Sequence, residues 1–171
     1  MPTNTYFPIA SYTATGSQST ITFADIPQTY KHLIISAKLK GSASNEDLQM
    51  QFNGSTSNSS YGFAQSNENV SGSRSVSHYG ITDVNYVRIG DYVPTNAQNS
   101  DWTGINAHIY DYSASTHYKT YSSHSMNAYV ANQRFTGYFV SNSAITQLSL
   151  NLGSIGNFVS GSTFTLFGVH G

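Results

Sequence analysis

The chain has 171 residues, of which Asp, Glu, Lys and Arg make up only 9%, for a formal net charge of −1. Ordinary globular domains are about 25% charged, so a basic field that holds nucleic acid by counterion release is excluded. Thirteen Tyr and nine Phe exclude the aromatic-poor composition of a disordered chain.

The length suits one domain over residues 1–171, able to bury roughly 70% of its unfolded surface. There is no cysteine, so the fold is indifferent to redox compartment. Residues 1–20 lack a basic segment followed by an apolar one, so no secretory signal is read. No apolar run approaches the roughly 20 residues that span a bilayer.

At the N-terminus, "MPTNTYFPIA" places Tyr6, Phe7 and Pro8 in a polar leader. Residues 1–10 are read either as an attachment or subunit-contact arm anchored by those three, or as the start of the first strand. Strands are then expected near 8–14, 19–25, 31–40, 47–53, 76–93 (broken), 103–112, 117–129, 134–140, 145–152 and 162–169. Alternation carries most of them: Leu33, Ile35, Ala37 and Leu39; Leu48, Met50 and Phe52; Ile105, Ala107 and Ile109; Leu148, Leu150 and Leu152. In the last segment, Phe164 and Leu166 share one face, with Thr163, Thr165 and Phe167 on the other. Turn signals such as Gly41-Ser42, Asn53-Gly54 and Ser160-Gly161 separate the segments, and the polar stretch Ser55–Ser75 reads as the longest loop. No helical periodicity competes. The expected fold is all-β, an antiparallel β-sandwich, jelly-roll-like, with about eight to ten strands.

Chemistry-bearing residues do not assemble into a recognisable motif. His108 and Asp111, three apart on a strand, face opposite sides, as do His117 and His124. Neither a His-Glu-x-x-His helix nor a calcium loop is present, so no metal or cofactor is expected. Ser residues lack a nucleophile elbow, and the adjacent Glu46 and Asp47 diverge. A folded pair of acids of the kind that hydrolyses glycosides stays open at this point. In "NSDWTG", Trp102 either stacks on a sugar while Asn99 and Asp101 bond its hydroxyls, or plugs the end of the sandwich. Three Asn-x-Ser sequons carry no weight without a secretory signal.

Three blocks, "FADIPQTYKHLIISAKLKG" (23–41), "IYDYSASTHYKTY" (109–121) and "NFVSGSTFTLFGV" (157–169), together resemble the small jelly-roll domains of tailed-bacteriophage virions. Those domains occur as capsid decoration (cement) proteins or at the tips of tail fibres. The resemblance implies a fold and a setting and transfers no catalytic residue. It implies a homotrimer bound to the major capsid protein on the capsid exterior, made in the host cytoplasm, and no enzyme. Because the chain begins at Met1 and one domain fills it, the decoration role is expected over the fibre role. The alternative is a tail- or head-fibre module that recognises a host surface glycan. Few Lys and Pro guard the sheet edges, four of each, which fits edges covered in an assembly.

Overall fold

The computed structural model describes residues 5–43, 46–69, 71–80, 84–95, 102–127, 132–153 and 156–171. Among them lie twelve strands and no helix. In chain order they are β1 (Tyr6–Thr13), β2 (Thr20–Phe23), β3 (His32–Leu39), β4 (Glu46–Phe52), β5 (Tyr61–Glu68) and β6 (Arg74–Tyr79). Then follow β7 (Val87–Val93), β8 (Thr103–Tyr110), β9 (Lys119–Met126), β10 (Asn132–Phe139), β11 (Leu148–Leu152) and β12 (Thr163–Val169).

Two antiparallel sheets form a sandwich. The larger has eight strands in the order β1-β12-β3-β8-β9-β10-β5-β6, the smaller four in the order β2-β11-β4-β7. The two ends of the chain interleave: β12 lies between β1 and β3, and β11 lies between β2 and β4. That winding is of the jelly-roll kind. The closing segment is therefore an interior strand, with a ladder on each side (Phe164 opposite Tyr12 and Ala37, for example).

Alternation places the core where the sequence put it. Leu33, Ile35, Leu39, Leu48, Met50, Ile105, Ala107, Ile109, Leu148, Leu150, Phe164 and Leu166 are all buried in one cluster. Gly168 breaks the apolar series of β12 for a steric reason. The Tyr30 ring lies where a Cβ on Gly168 would project. The first two quoted blocks also meet: buried Tyr112 donates its hydroxyl to the Pro27 carbonyl, and Ser113 Oγ donates to the Tyr30 carbonyl at 2.9 Å.

Two expectations need correction. The stretch Ser55–Ser75 is not one long loop, because β5 occupies Tyr61–Glu68 and β6 starts at Arg74. Its inward positions are Tyr61, Phe63 and Gln65, so the alternation runs into a buried glutamine. The strand count accordingly exceeds the expected eight to ten. Of the two readings of residues 1–10, residues 6–10 form the start of the first strand: β1 pairs with β12 from Tyr6↔Val169 onward.

One edge strand explains an otherwise odd interior. β7 ends the small sheet and packs against β9, β10 and β5 of the large one. Backbone groups on its free edge are bonded by side chains of that sheet. Tyr121 Oη donates to the Arg88 carbonyl (2.7 Å), Ser123 Oγ to the Ile89 carbonyl (2.7 Å), and the Asp91 amide donates to Gln133 Oε1 (3.1 Å). An unpaired buried amide or carbonyl costs about as much as a lost hydrogen bond. Polar residues at inward positions of β9 and β10 are therefore the substitute for a missing ladder partner.

Candidate interaction surface

The outward face of the large sheet carries three rungs of side chains set by the strand registers. One runs Tyr110–Thr120–Tyr138–Gly62. The next runs Ile34–His108–Ser122–Thr136–Ala64–His78, and the third Ser36–Asn106–His124–Arg134–Ser66–Val76. Arg134 is the one charged residue in these rungs. Two tyrosines are held down against the sheet. Tyr110 leans across β9, its hydroxyl 3.0 Å from Ser122 Oγ, between the rings of His32 (5.8 Å) and His108 (6.2 Å). Tyr138 lies over Gly62, where an added Cβ would sit 2.6 Å from the ring. Both rings remain 38% exposed. Both line a shallow groove of about 650 Å³ that passes over Thr120, Ser122, Thr136 and Ala64 and reaches His78, Tyr79 and Gly80 at the β6 side.

The residues expected at the N-terminus divide. Tyr6 is 56% exposed at the sheet edge. Phe7 turns onto its own fold, 5.7 Å from Tyr30 and 5.0 Å from His170, ring centre to ring centre. Pro8, which has no N–H to leave unpaired, sits on edge strand β1 just before a register shift at Ile9. Trp102, half-buried ahead of β8, carries two ammonium groups over its ring, Lys38 Nζ at 4.6 Å and Lys40 Nζ at 5.1 Å. Those contacts are the chain's own. Asn99 and Asp101 lie outside the described residues.

Asp111 meets His32 and His117, not His108, three residues before it in sequence. Its carboxylate lies 3.9 Å from His32 Nδ1 and 3.8 Å from His117 Nε2, and its amide donates to His32 Nδ1 at 3.0 Å. Asp111 has a φ of 48°, the left-handed turn that ends β8. Among the described residues no group of three or more His, Asp or Glu is placed to hold a metal ion. Nearby, wholly buried Lys119 donates Nζ to the carbonyls of His117 (2.8 Å), Asn142 (3.3 Å) and Ser141 (3.4 Å). Burial lowers its pKa from the ordinary lysine value, with Asp111 opposing.

A buried ion cluster joins β4, β5 and β7. Arg88 bridges Asp47 (2.5 Å) and Asp91 (3.2 Å), donates to Gln65 Oε1 (3.0 Å), and lies over the rings of Phe63 and Tyr79. Burial first, then a hydrogen bond with Asp91, pushes the Asp47 carboxyl up to about 8, against the pull of Arg88. The proton has a simple electrostatic reason: one cation balances one carboxylate, and the second acid stays neutral in the interior. The two carboxyls touch each other, which is closer than the roughly 5–10 Å that glycoside hydrolysis uses. Glu46, the sequence neighbour of Asp47, does diverge; it lies buried against Gly153 and Gly156, with its pKa raised by burial. No signal in the sequence links Asp47 to β7, because register alone brings them together.

These internal uses leave little charge for the outside. Lys40, Glu46, Asp47, Arg88, Asp91 and Lys119 are all wholly or largely buried. Comparison with protein-family models, with curated proteins and with solved structures finds no match to this chain.

Proposed function

We propose that the chain is a bacteriophage virion structural protein, a capsid decoration protein that binds the outside of the shell and stabilises it. The resemblance of its three sequence blocks suggests the setting. The observation that carries the reading is the exterior: an already charge-poor chain with six of its charged side chains largely inside. Soluble, free-standing domains keep copies apart with surface charge. A nearly neutral surface instead tolerates many copies packed side by side, as a shell coat requires. Attachment works by linkage: binding the assembled lattice and not the loose subunits stabilises the lattice by mass action. Partners are the major capsid protein and further copies of the chain in a trimer. The chain acts without a cofactor and catalyses no reaction.

Tyr6 is the contact residue this reading selects, because it is exposed at an edge while Phe7 is spent on Tyr30 and His170. Exposed aromatics that anchor interfaces are often worth about 2 kcal/mol or more. Purified virions should hold this protein at a copy number comparable with the shell subunit, and capsids stripped of it should take it back up. Tyr6→Ser should lower that uptake with the free protein melting as before; Phe7→Ser should lower the melting temperature. A copy number of a few per virion would point to a fibre and sink the decoration reading.

A further inference from the structure

We propose that the groove between Tyr110 and Tyr138, on the outward face of the large sheet, is a binding site for a neutral glycan chain. Nothing in the decoration role requires such a site, and its argument is separate. The two rings sit on β8 and β10, flanking β9, so their backbones are about 10 Å apart, twice the spacing of adjacent strands.

Each ring is fixed before any ligand arrives. Tyr110 is tied through its hydroxyl to Ser122 Oγ and flanked by His32 and His108. Tyr138 needs Gly62 beneath it, since any side chain there would collide with the ring and lift it from the sheet. Flat, half-exposed tyrosine rings offer apolar area at low entropic cost. Sugar rings, with C–H groups on one face, are the polar ligands that use such area. The floor between the rings supplies hydroxyls from Thr120, Ser122 and Thr136. Among the described residues, no Asp, Glu, Lys or Arg lines the groove. Of these described residues only His78 can carry charge, whereas a neutral chain of hydroxyls finds donors, acceptors and stacking faces. The volume, about 650 Å³, lies in the roughly 300–1,000 Å³ range of small-ligand sites.

The test uses the intact protein and calorimetric titration with three neutral hexasaccharides, of glucose in α1,4 linkage, glucose in β1,4 linkage and mannose, beside acidic hexagalacturonate. At least one neutral chain should bind at concentrations up to about 10 mM. Tyr110→Ala should weaken binding about tenfold or more. Tyr138→Phe should retain it; Tyr138→Leu should lose it while melting like the wild type. Tyr12→Ala, equally exposed but outside the groove, should change nothing. The proposal is overturned if no neutral chain binds, if hexagalacturonate binds in their place, or if the tyrosine variants bind like the wild type. It is also overturned if uptake onto stripped capsids falls in Tyr110→Ala while no sugar binds, since the face is then the shell contact. Sugar binding by a protein that fails to decorate capsids would instead uphold this site and end the decoration reading.

Discussion

On β12, β3 and β8 the inward positions are apolar but for Thr103 and Gly168, among them Phe164, Leu166, Leu33, Ile35, Ile105 and Ile109; on β9, β10 and β5 they include Tyr121, Ser123, Ser125, Gln133 and Gln65. Both sets are buried, in the same sheet, and the difference comes from what lies opposite. A strand with ladders on both edges asks only for volume from the layer it packs on. β7 has one ladder and presses its other edge toward β9 and β10, so it asks for donors and acceptors. Burial in the first region is a hydrophobic term; in the second it is a matter of leaving no polar group alone.

The largest expected effect lies in the apolar region. Deleting residues 162–171 removes β12, the partner of both β1 and β3, together with Phe164 and Leu166. Soluble folded protein should be lost. A truncated protein that melts like the full chain would show that the closing strand is dispensable.

In the polar region the greatest single-residue cost should come from Arg88→Met. It leaves Asp47 and Asp91 without their cation inside the protein, and breaking a buried pair by removing one partner costs about 3–5 kcal/mol. Urea unfolding at pH 7 measures it. Repeating the measurement at pH 5 should give a smaller loss, because carboxyls can then take up protons. Equal losses at both pH values would show that Arg88 acts by packing on Phe63 and Tyr79 and not by charge.

How much was legible follows the same division. The apolar strands announced themselves through alternation, and β3, β4, β8, β11 and β12 fall close to their expected places. β5 did not, because "YGFAQSNE" carries Gln65 where an apolar residue would have completed the pattern, and that glutamine is there for Arg88. Asp47, Arg88 and Asp91 were equally silent, since a pair of acids has meaning only once register places it. The outward groove was hidden for another reason. Tyr110 and Tyr138 are two of thirteen tyrosines, and only the pairing of Tyr138 with Gly62 singles one out.

A smaller effect is the pH dependence of the polar region. The Asp47 carboxyl sits at about 8 in the folded protein against 3.8 ordinarily. A raised folded value means that the folded state holds the proton more tightly, so its stabilisation is complete below the unfolded value. It is lost as pH rises from about 4 to about 8. Glu46, also raised by burial, adds in the same direction. Melting temperature should therefore fall across that window, and Asp47→Asn, which cannot ionise, should flatten the slope. A slope unchanged in Asp47→Asn would place the titrating group elsewhere.

The smallest effect gives the sharpest contrast, since it compares two serines on one strand. Ser123 and Ser125 both point inward from β9 and are buried. Ser123 Oγ donates to the Ile89 carbonyl of β7, while Ser125 Oγ has no hydrogen-bond partner among the described residues. Removing a hydroxyl that satisfies a buried carbonyl strands that carbonyl, at about 1–3 kcal/mol. Removing a hydroxyl with no partner relieves a buried polar group and leaves a cavity smaller than a methyl group. Ser123→Ala should thus destabilise, and Ser125→Ala should be neutral or stabilise by up to about 1 kcal/mol. Chemical denaturation of the two variants decides it. Equal losses would mean that β7 does not depend on the side chains of β9 for its free edge, and the distinction between the two halves would have to rest on volume alone.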